Sequence, residues 1–485
     1  MPLLRLIAEG VGPFERLDVD LSDGKGNPHL GPHIFAGVNG SGKSTVLRTL
    51  AWVMAKGDSG FRYDDWSHLT AGCGHFRALV VIQPPGAPAY VRACAKGATF
   101  PDGDALIVWI LSALDGTGIG ERLGGFEVQP SEWLDWQERT AAQETPATSG
   151  REVEGGTTRI VFREIGEVVH ERALLNVAAY SPSRALRHVA AVDLAKRLGS
   201  NNENSLAFES TVQNEFVQSW LLGLYSKRAI ARERRQSGDQ YSHSLDRFEN
   251  ALRLLYDHSI SFDVEIEPSF QPRLNAFGQN LDFSQLPDGV RSTVGWVADF
   301  MMRQDLVKWD PTLGDKRPGV LLLDEVDAHL HPLWQRKLLP AMREALPDVQ
   351  ILVTSHSPFV ISSCPGSRVH VLELDKNGRA HARPPVDSPI GESVTTTLAE
   401  IFGVESRFDV LTEHELDEWN RLKRSEVARS LSAKDRSRLK ELTITLANRS
   451  EELKSIVASP LTIPESVLRS LTAEKPQQVK RKKRA

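Results

Sequence analysis

Cysteine is scarce and scattered in this chain of 485 residues. Cys73, Cys94 and Cys364 lie far apart, form no CxxC pair and match no zinc spacing, so a disulfide framework is excluded. Long apolar runs are missing as well. The longest, Ala105–Leu111, falls well short of the roughly 20 residues a membrane helix needs. Glu9 interrupts the N-terminal segment before a cleavable apolar core forms, so no secretory signal is expected and the cytoplasm is the expected compartment. No charge of one sign dominates: 58 Lys+Arg stand against 63 Asp+Glu, a net −5. Lys480, Arg481, Lys482, Lys483 and Arg484 carry +5 of that, leaving −10 on the remainder. An acidic body is a poor DNA-wrapping surface, and the basic end reads either as a solvated tail or as a contact for nucleic acid or a partner. Sustained heptads and solenoid-length repeats are also lacking, which excludes long coiled-coil arms and repeat arrays. What is present, 40% hydrophobic and 25% charged residues, is the composition of a globular protein. At roughly 100–200 residues per domain, it would form two to four packed units.

The clearest pattern is Gly37-Val38-Asn39-Gly40-Ser41-Gly42-Lys43-Ser44-Thr45, which follows the apolar Ile34-Phe35-Ala36 and precedes a helical stretch to about Ala55. This is the GxxxxGK[ST] phosphate-binding loop. Glycines let backbone N–H groups turn toward phosphate oxygens, and the helix N-terminus faces the anion. Lys43 is placed to reach the β- and γ-phosphates, and the Ser44 hydroxyl to ligate Mg2+. ATP with Mg2+ is therefore the expected ligand.

Such a loop needs an acidic strand, and Gly319-Val320-Leu321-Leu322-Leu323-Asp324-Glu325 supplies one. Its apolar run reads as a buried parallel strand. Asp324 at its end is placed to hold magnesium, and Glu325 to polarise an attacking water. Asp327, His329 and His331 follow and admit a metal-site reading, but no further clustered ligands accompany them. Pro332 opens a helix to about Ala345. A second apolar strand, Val349–Val353, then leads into Thr354-Ser355-His356-Ser357-Pro358, where His356 suits a γ-phosphate sensor. Upstream, Leu286-Pro287-Asp288-Gly289-Val290-Arg291 precedes a helix to about Arg303 and forms a second candidate anion site. Gln83 ends the strand Ala78–Ile82.

Taken in order, P-loop, Leu286-x-Asp288-Gly289 helix, Asp324-Glu325 strand and His356 strand, the motifs resemble an ABC-type ATPase. Leu330-His331-Pro332-Leu333-Trp334-Gln335-Arg336, Pro347-Asp348 and the segment around His356 are similar to those of prokaryotic anti-phage ATPases of the RecF/SMC/OLD-like group, with the Septu ATPase subunits nearest and the PARIS ATPases related. Ala179-Tyr180-Ser181-Pro182-Ser183-Arg184 resembles a Tyr-xxx-Arg element of such chains. The resemblance implies that ATP is held between two copies, by the P-loop of one and by Asp288, Gly289, Arg291 and His331 of the other, with Ala328–His331 as the loop that crosses the interface. It implies a homodimer or higher even oligomer. The expected reaction is ATP hydrolysis, with Glu325 and His356 as catalytic groups and Ser44, Asp324 and Gln83 at the metal. Pro287 replaces the usual signature serine and offers no side-chain donor, so slow turnover is expected. Neither a TOPRIM acidic triad nor a His-Asn-His constellation is present. The resemblance therefore implies a separate nuclease effector, an HNH or TOPRIM protein; a DNA-repair or chromosome-handling ATPase that binds DNA directly is the alternative.

The expected fold class is α/β: an ABC-type ATPase with an antiparallel β lobe, a helical insertion and a C-terminal helical hairpin. The expected boundaries are 1–175 for the P-loop half with the β lobe, 176–260 for the helical insertion and 261–380 for the second ATPase half. A helical region over 381–475 and a basic tail over 476–485 complete the chain. Leu422, Val427 and Leu431 are expected to face Leu439, Leu442 and Leu446 in the hairpin.

Overall fold

The computed structural model describes residues 3–25, 27–54, 75–82, 90–97, 107–111, 176–182, 184–186, 189, 192–234, 239–257, 260–267, 270–307, 309, 311–404, 408–428 and 430–458. Gln83, Trp133, Trp136 and the basic tail lie outside these residues. Two compact units divide at residue 403/404.

Among the described residues, the first unit is built on three sheets. Strands β1 (Leu3–Val11), β2 (Phe14–Asp20), β4 (His75–Ile82), β5 (Tyr90–Gly97) and β6 (Ile107–Leu111) form an antiparallel sheet in the order β2-β1-β4-β5-β6. The central sheet runs β14-β13-β3-β12-β11-β7, with β15 paired to β13. Its members are β3 (His33–Gly37), β7 (Asn176–Tyr180), β11 (Gly319–Leu323), β12 (Val349–Thr354), β13 (Arg368–Leu374), β14 (Ala380–Ala382) and β15 (Val386–Asp387). The five strands from β13 to β7 are parallel. β3, β7, β11 and β12 are buried along their whole length, as apolar runs without alternation require. Strands β8 (Ile260–Glu265), β9 (Gln271–Ala276) and β10 (Gln279–Leu281) make a small antiparallel sheet.

The side chains of the central sheet alternate between two cores, as the period of 2 dictates. Ile34, Ala36, Ala178, Tyr180, Leu321, Leu323, Ile351 and Val353 join one core. It also takes in residues of helices α2 (Asn214–Glu233), α3 (Asp239–Tyr256), α4 (Asp288–Leu306) and α5 (Pro332–Ala345). Phe35, Val177, Ala179, Val320, Leu322 and Leu352 join the other. There they meet α1 (Lys43–Met54) and residues of the antiparallel sheet. Leu245, Phe248, Ala251, Leu252 and Leu255 recur at helical spacing and give α3 its buried face. α4 is buried almost throughout from Gly289 to Gln304. The unit also contains α6 (Pro358–Ile361) and α7 (Val394–Phe402). β7 falls within the segment expected to be a helical insertion, but it pairs with β11 in the sheet. Residues 192–213 carry no helix before α2.

The second unit contains α8 (Val410–Val427), α9 (Ala433–Arg449) and α10 (Glu451–Ala458). Asp409 and Ser432 cap α8 and α9 through side-chain oxygens. Leu416, Trp419, Leu422, Leu439, Leu442, Leu446, Leu453 and Val457 form its core. Val427, expected in that core, is 61% exposed at the end of α8, beyond Leu422, the last buried position of that helix. Among the described residues no helix is long and apolar enough to cross a membrane.

Candidate functional site

The sheet order sets the site. β12 lies between β3 and β11, so the P-loop, the acidic pair and the histidine all leave neighbouring parallel strands at the same edge. Such an edge, at the carboxyl ends of parallel strands, is where open α/β sheets bind ligands.

The P-loop leaves β3 at Gly37, whose φ is +152°, and a Cβ there would lie 2.3 Å from the Leu372 carbonyl oxygen. Gly42, at φ +88°, would drive a Cβ to 2.4 Å from the Phe14 ring. Neither position admits a side chain. The Ser41 hydroxyl is buried and has no hydrogen-bond partner among the described residues. Asn39 is exposed on the loop, and Thr45 lies in the first turn of α1. Lys43 Nζ donates to the carbonyls of Gly37 at 3.0 Å and Val38 at 2.9 Å. Burial lowers its pKa, against the opposing pull of Asp324, Glu325 and Asp327.

Asp324 and Ser44 meet directly: Ser44 Oγ donates to Asp324 Oδ1 at 2.8 Å. Thr354 Oγ1 donates to the same oxygen at 2.7 Å and accepts from the Glu325 amide, also at 2.7 Å. One threonine at the end of β12 therefore fixes both acids. Asp324 is buried, while Glu325 is exposed and has a φ of +44°, rare for a residue with a side chain. Ser44 and Asp324 form a hard, oxygen-only donor set that fits magnesium beside phosphate. His356 is half-buried; its pKa is lowered first by burial and then by the Lys43 charge, with Asp327, Glu325 and Asp324 opposing.

Arg184 and Thr354 are the residues that sequence reasoning left without a role. Arg184 is buried, with Nη1 donating to the carbonyls of Ser181 at 2.9 Å and Asp324 at 2.5 Å, and Nη2 to that of Glu325 at 3.3 Å. The Tyr-xxx-Arg resemblance was the available signal. Asp327 Oδ1 is buried without a hydrogen-bond partner among the described residues.

The Leu286–Arg291 turn has two faces. Leu286 and Gly289 are buried within their own chain, where a Cβ on Gly289 would lie 2.2 Å from the His329 carbonyl oxygen. Pro287 and Asp288 are exposed at the start of α4, and Arg291 pairs with Asp288. His331 is exposed and caps α5, its Nδ1 accepting from the Leu333 amide at 3.3 Å. Among the described residues no hydrogen bond or ion pair joins Asp288, Gly289, Arg291 or His331 to the P-loop of the same chain. No group of three or more metal-ligating side chains occurs among the described residues, and Asp327, His329 and His331 do not form one.

Residues 184–362 match the family described as "AAA domain, putative AbiEii toxin, Type IV TA system". The chain's relatives include a protein named Retron Vc95 probable ATPase, from Vibrio cholerae serotype O1 biovar El Tor. It is 29% identical over 125 residues, covering 25% of this chain and 24% of the relative. They also include the Septu protein PtuA of Bacillus thuringiensis, 26% identical over 179 residues and covering 34% and 45%. The matches thus span less than half of these relatives' own lengths. Among solved structures, the SMC head domain from Thermotoga maritima aligns over 79% of this chain and 99% of its own, with 15% identity and a TM-score of 0.41.

Proposed function

We propose that the chain is an ABC-type ATPase of an anti-phage defence complex. The single observation that supports this most is the 2.8 Å contact between Ser44 of the P-loop and Asp324 of the acidic strand, residues 280 positions apart. Kinship with retron and Septu proteins, two of them named ATPases, supports the defence setting.

On this reading ATP lies along the P-loop, with the loop amides and Lys43 on its phosphates. Lys43 exchanges the carbonyls of Gly37 and Val38 for phosphate oxygens. Ser44 and Asp324 would hold magnesium, which would supply positive charge to the phosphate oxygens. Glu325 accepts a proton from a water whose oxygen forms a bond to the γ-phosphorus as the bond to the β–γ bridging oxygen breaks. His356 lies beside the same group. A second copy of the chain completes the site with Asp288, Gly289, Arg291 and His331. Because Pro287 brings no hydroxyl, that contribution comes from backbone amides and Arg291, and turnover is slow. The output is control of a separate HNH or TOPRIM nuclease.

Lys43→Ala removes a charged contact worth about 1.5–3 kcal/mol, roughly a 10- to 100-fold loss of ATP affinity. Equilibrium binding of a fluorescent ATP analogue measures it. Unchanged affinity would remove the P-loop from the account.

A further inference from the structure

Glu325 is held in an unfavourable backbone conformation, at φ +44°. A residue with a side chain stays there only when its surroundings fix it. Thr354 takes its amide. Its carbonyl is taken by Arg184, which also binds the carbonyls of Asp324 and Ser181. A planar guanidinium can gather carbonyls on separate segments in one fixed geometry, which an ammonium cannot.

The segment that carries Arg184 is itself clasped by α4. Tyr180 accepts the Asp324 amide at 2.9 Å through its carbonyl and donates its hydroxyl to Asp299 on α4 at 2.8 Å. The Leu186 amide reaches the Arg291 carbonyl at 3.4 Å. Gly295 lets α4 approach so closely that a Cβ there would lie 2.7 Å from the Arg184 carbonyl oxygen.

We propose that Arg184 is a positioning residue for hydrolysis: it aims the Glu325 carboxylate from behind, and helix α4 sets where Arg184 stands. This rests on the ATPase reading above. Arg184 is not expected to touch ATP, since among the described residues it donates to backbone carbonyls behind the acidic pair.

The test compares Arg184→Lys in the wild-type and Glu325→Gln backgrounds by single-turnover ATP hydrolysis, alongside ATP binding. Misplacing a reacting group by about 1 Å costs up to about 100-fold in rate, so R184K should lower the hydrolysis rate about 10- to 100-fold while ATP affinity changes less than about 2-fold. In the E325Q background the same change should cost less than about 2-fold, because a residue that acts through Glu325 has nothing left to aim. A merely structural arginine would lose the same factor in both backgrounds, and that result overturns the proposal, as does wild-type turnover in R184K. Should R184K not fold, Gly295→Ala displaces the same segment and is read against the same criteria. A wild-type protein that binds ATP and never hydrolyses it overturns the ATPase reading and this assignment with it.

Discussion

His33 and His370 sit on the neighbouring strands β3 and β13, with His33 Nδ1 3.0 Å from His370 Nε2 and the His370 ring stacked 4.8 Å from Phe35. Burial holds both neutral: it pushes His370 down to about 3 and His33 well below its ordinary value, with nearby Arg368 and the neighbouring histidines acting in the same direction. As pH falls below the unfolded value of about 6.5, the unfolded chain takes up protons that the folded chain refuses. Stability is therefore full above that pH and falls toward pH 3, by up to about 1.4 kcal/mol per pH unit for each histidine. Urea midpoints measured between pH 7 and pH 5 should decline, and His370→Phe, which keeps a ring against Phe35, should decline less steeply. Equal slopes in the two proteins would contradict the assignment. None of this was legible in the sequence, where the two residues are 337 positions apart and neither belongs to a motif. Lys43, Ser44, Asp324 and Glu325 stood out because each pair belongs to a short local pattern, and the structure adds that Ser44 and Asp324 meet. The Tyr-xxx-Arg resemblance pointed to Arg184 but not to its contacts, because it binds a backbone carbonyl 140 positions away, and carbonyls leave no mark on the side-chain pattern.

Helix α4 is where single contacts become an element with a task. Asp299 and Arg303, one turn apart and both fully buried, pair at 2.6 Å. Tyr180 donates to Asp299, and Arg303 also binds the carbonyls of Asn201, Glu203 and Thr211. Removing one partner of a buried pair strands the other charge, so Asp299→Ala should destabilise the first unit by about 3–5 kcal/mol. Chemical denaturation measures this, and a loss below about 1 kcal/mol would show the pair to be dispensable. The strands β3, β11 and β12 were visible as apolar runs with chemistry at their ends. β7 was harder to read: Asn176–Tyr180 is short, and the helix-rich sequence after it drew the boundary to the wrong side of a sheet strand. The depth of α4 was hidden too, because polar Ser292, Thr293, Asp299, Arg303 and Gln304 are buried through partners that sequence does not show.

The molecule as a whole brings the motifs of two distant segments to one sheet edge, and the Leu286–Arg291 turn presents Pro287 and Asp288 outward. On the proposed reading one chain supplies one wall of the ATP site, and a second copy would supply the other. The measurement that bears most directly on this is the solution mass of Glu325→Gln with and without Mg-ATP, by light scattering after size exclusion. If Glu325 is the general base, as proposed, its loss should slow hydrolysis about 100- to 10,000-fold while leaving ATP bound. The mass should therefore move to twice its nucleotide-free value, or, where the free protein is already oligomeric, to a higher even multiple of the chain. The additional change Lys43→Ala should abolish the shift. An ATP-saturated Glu325→Gln protein that stays a monomer would contradict the shared site.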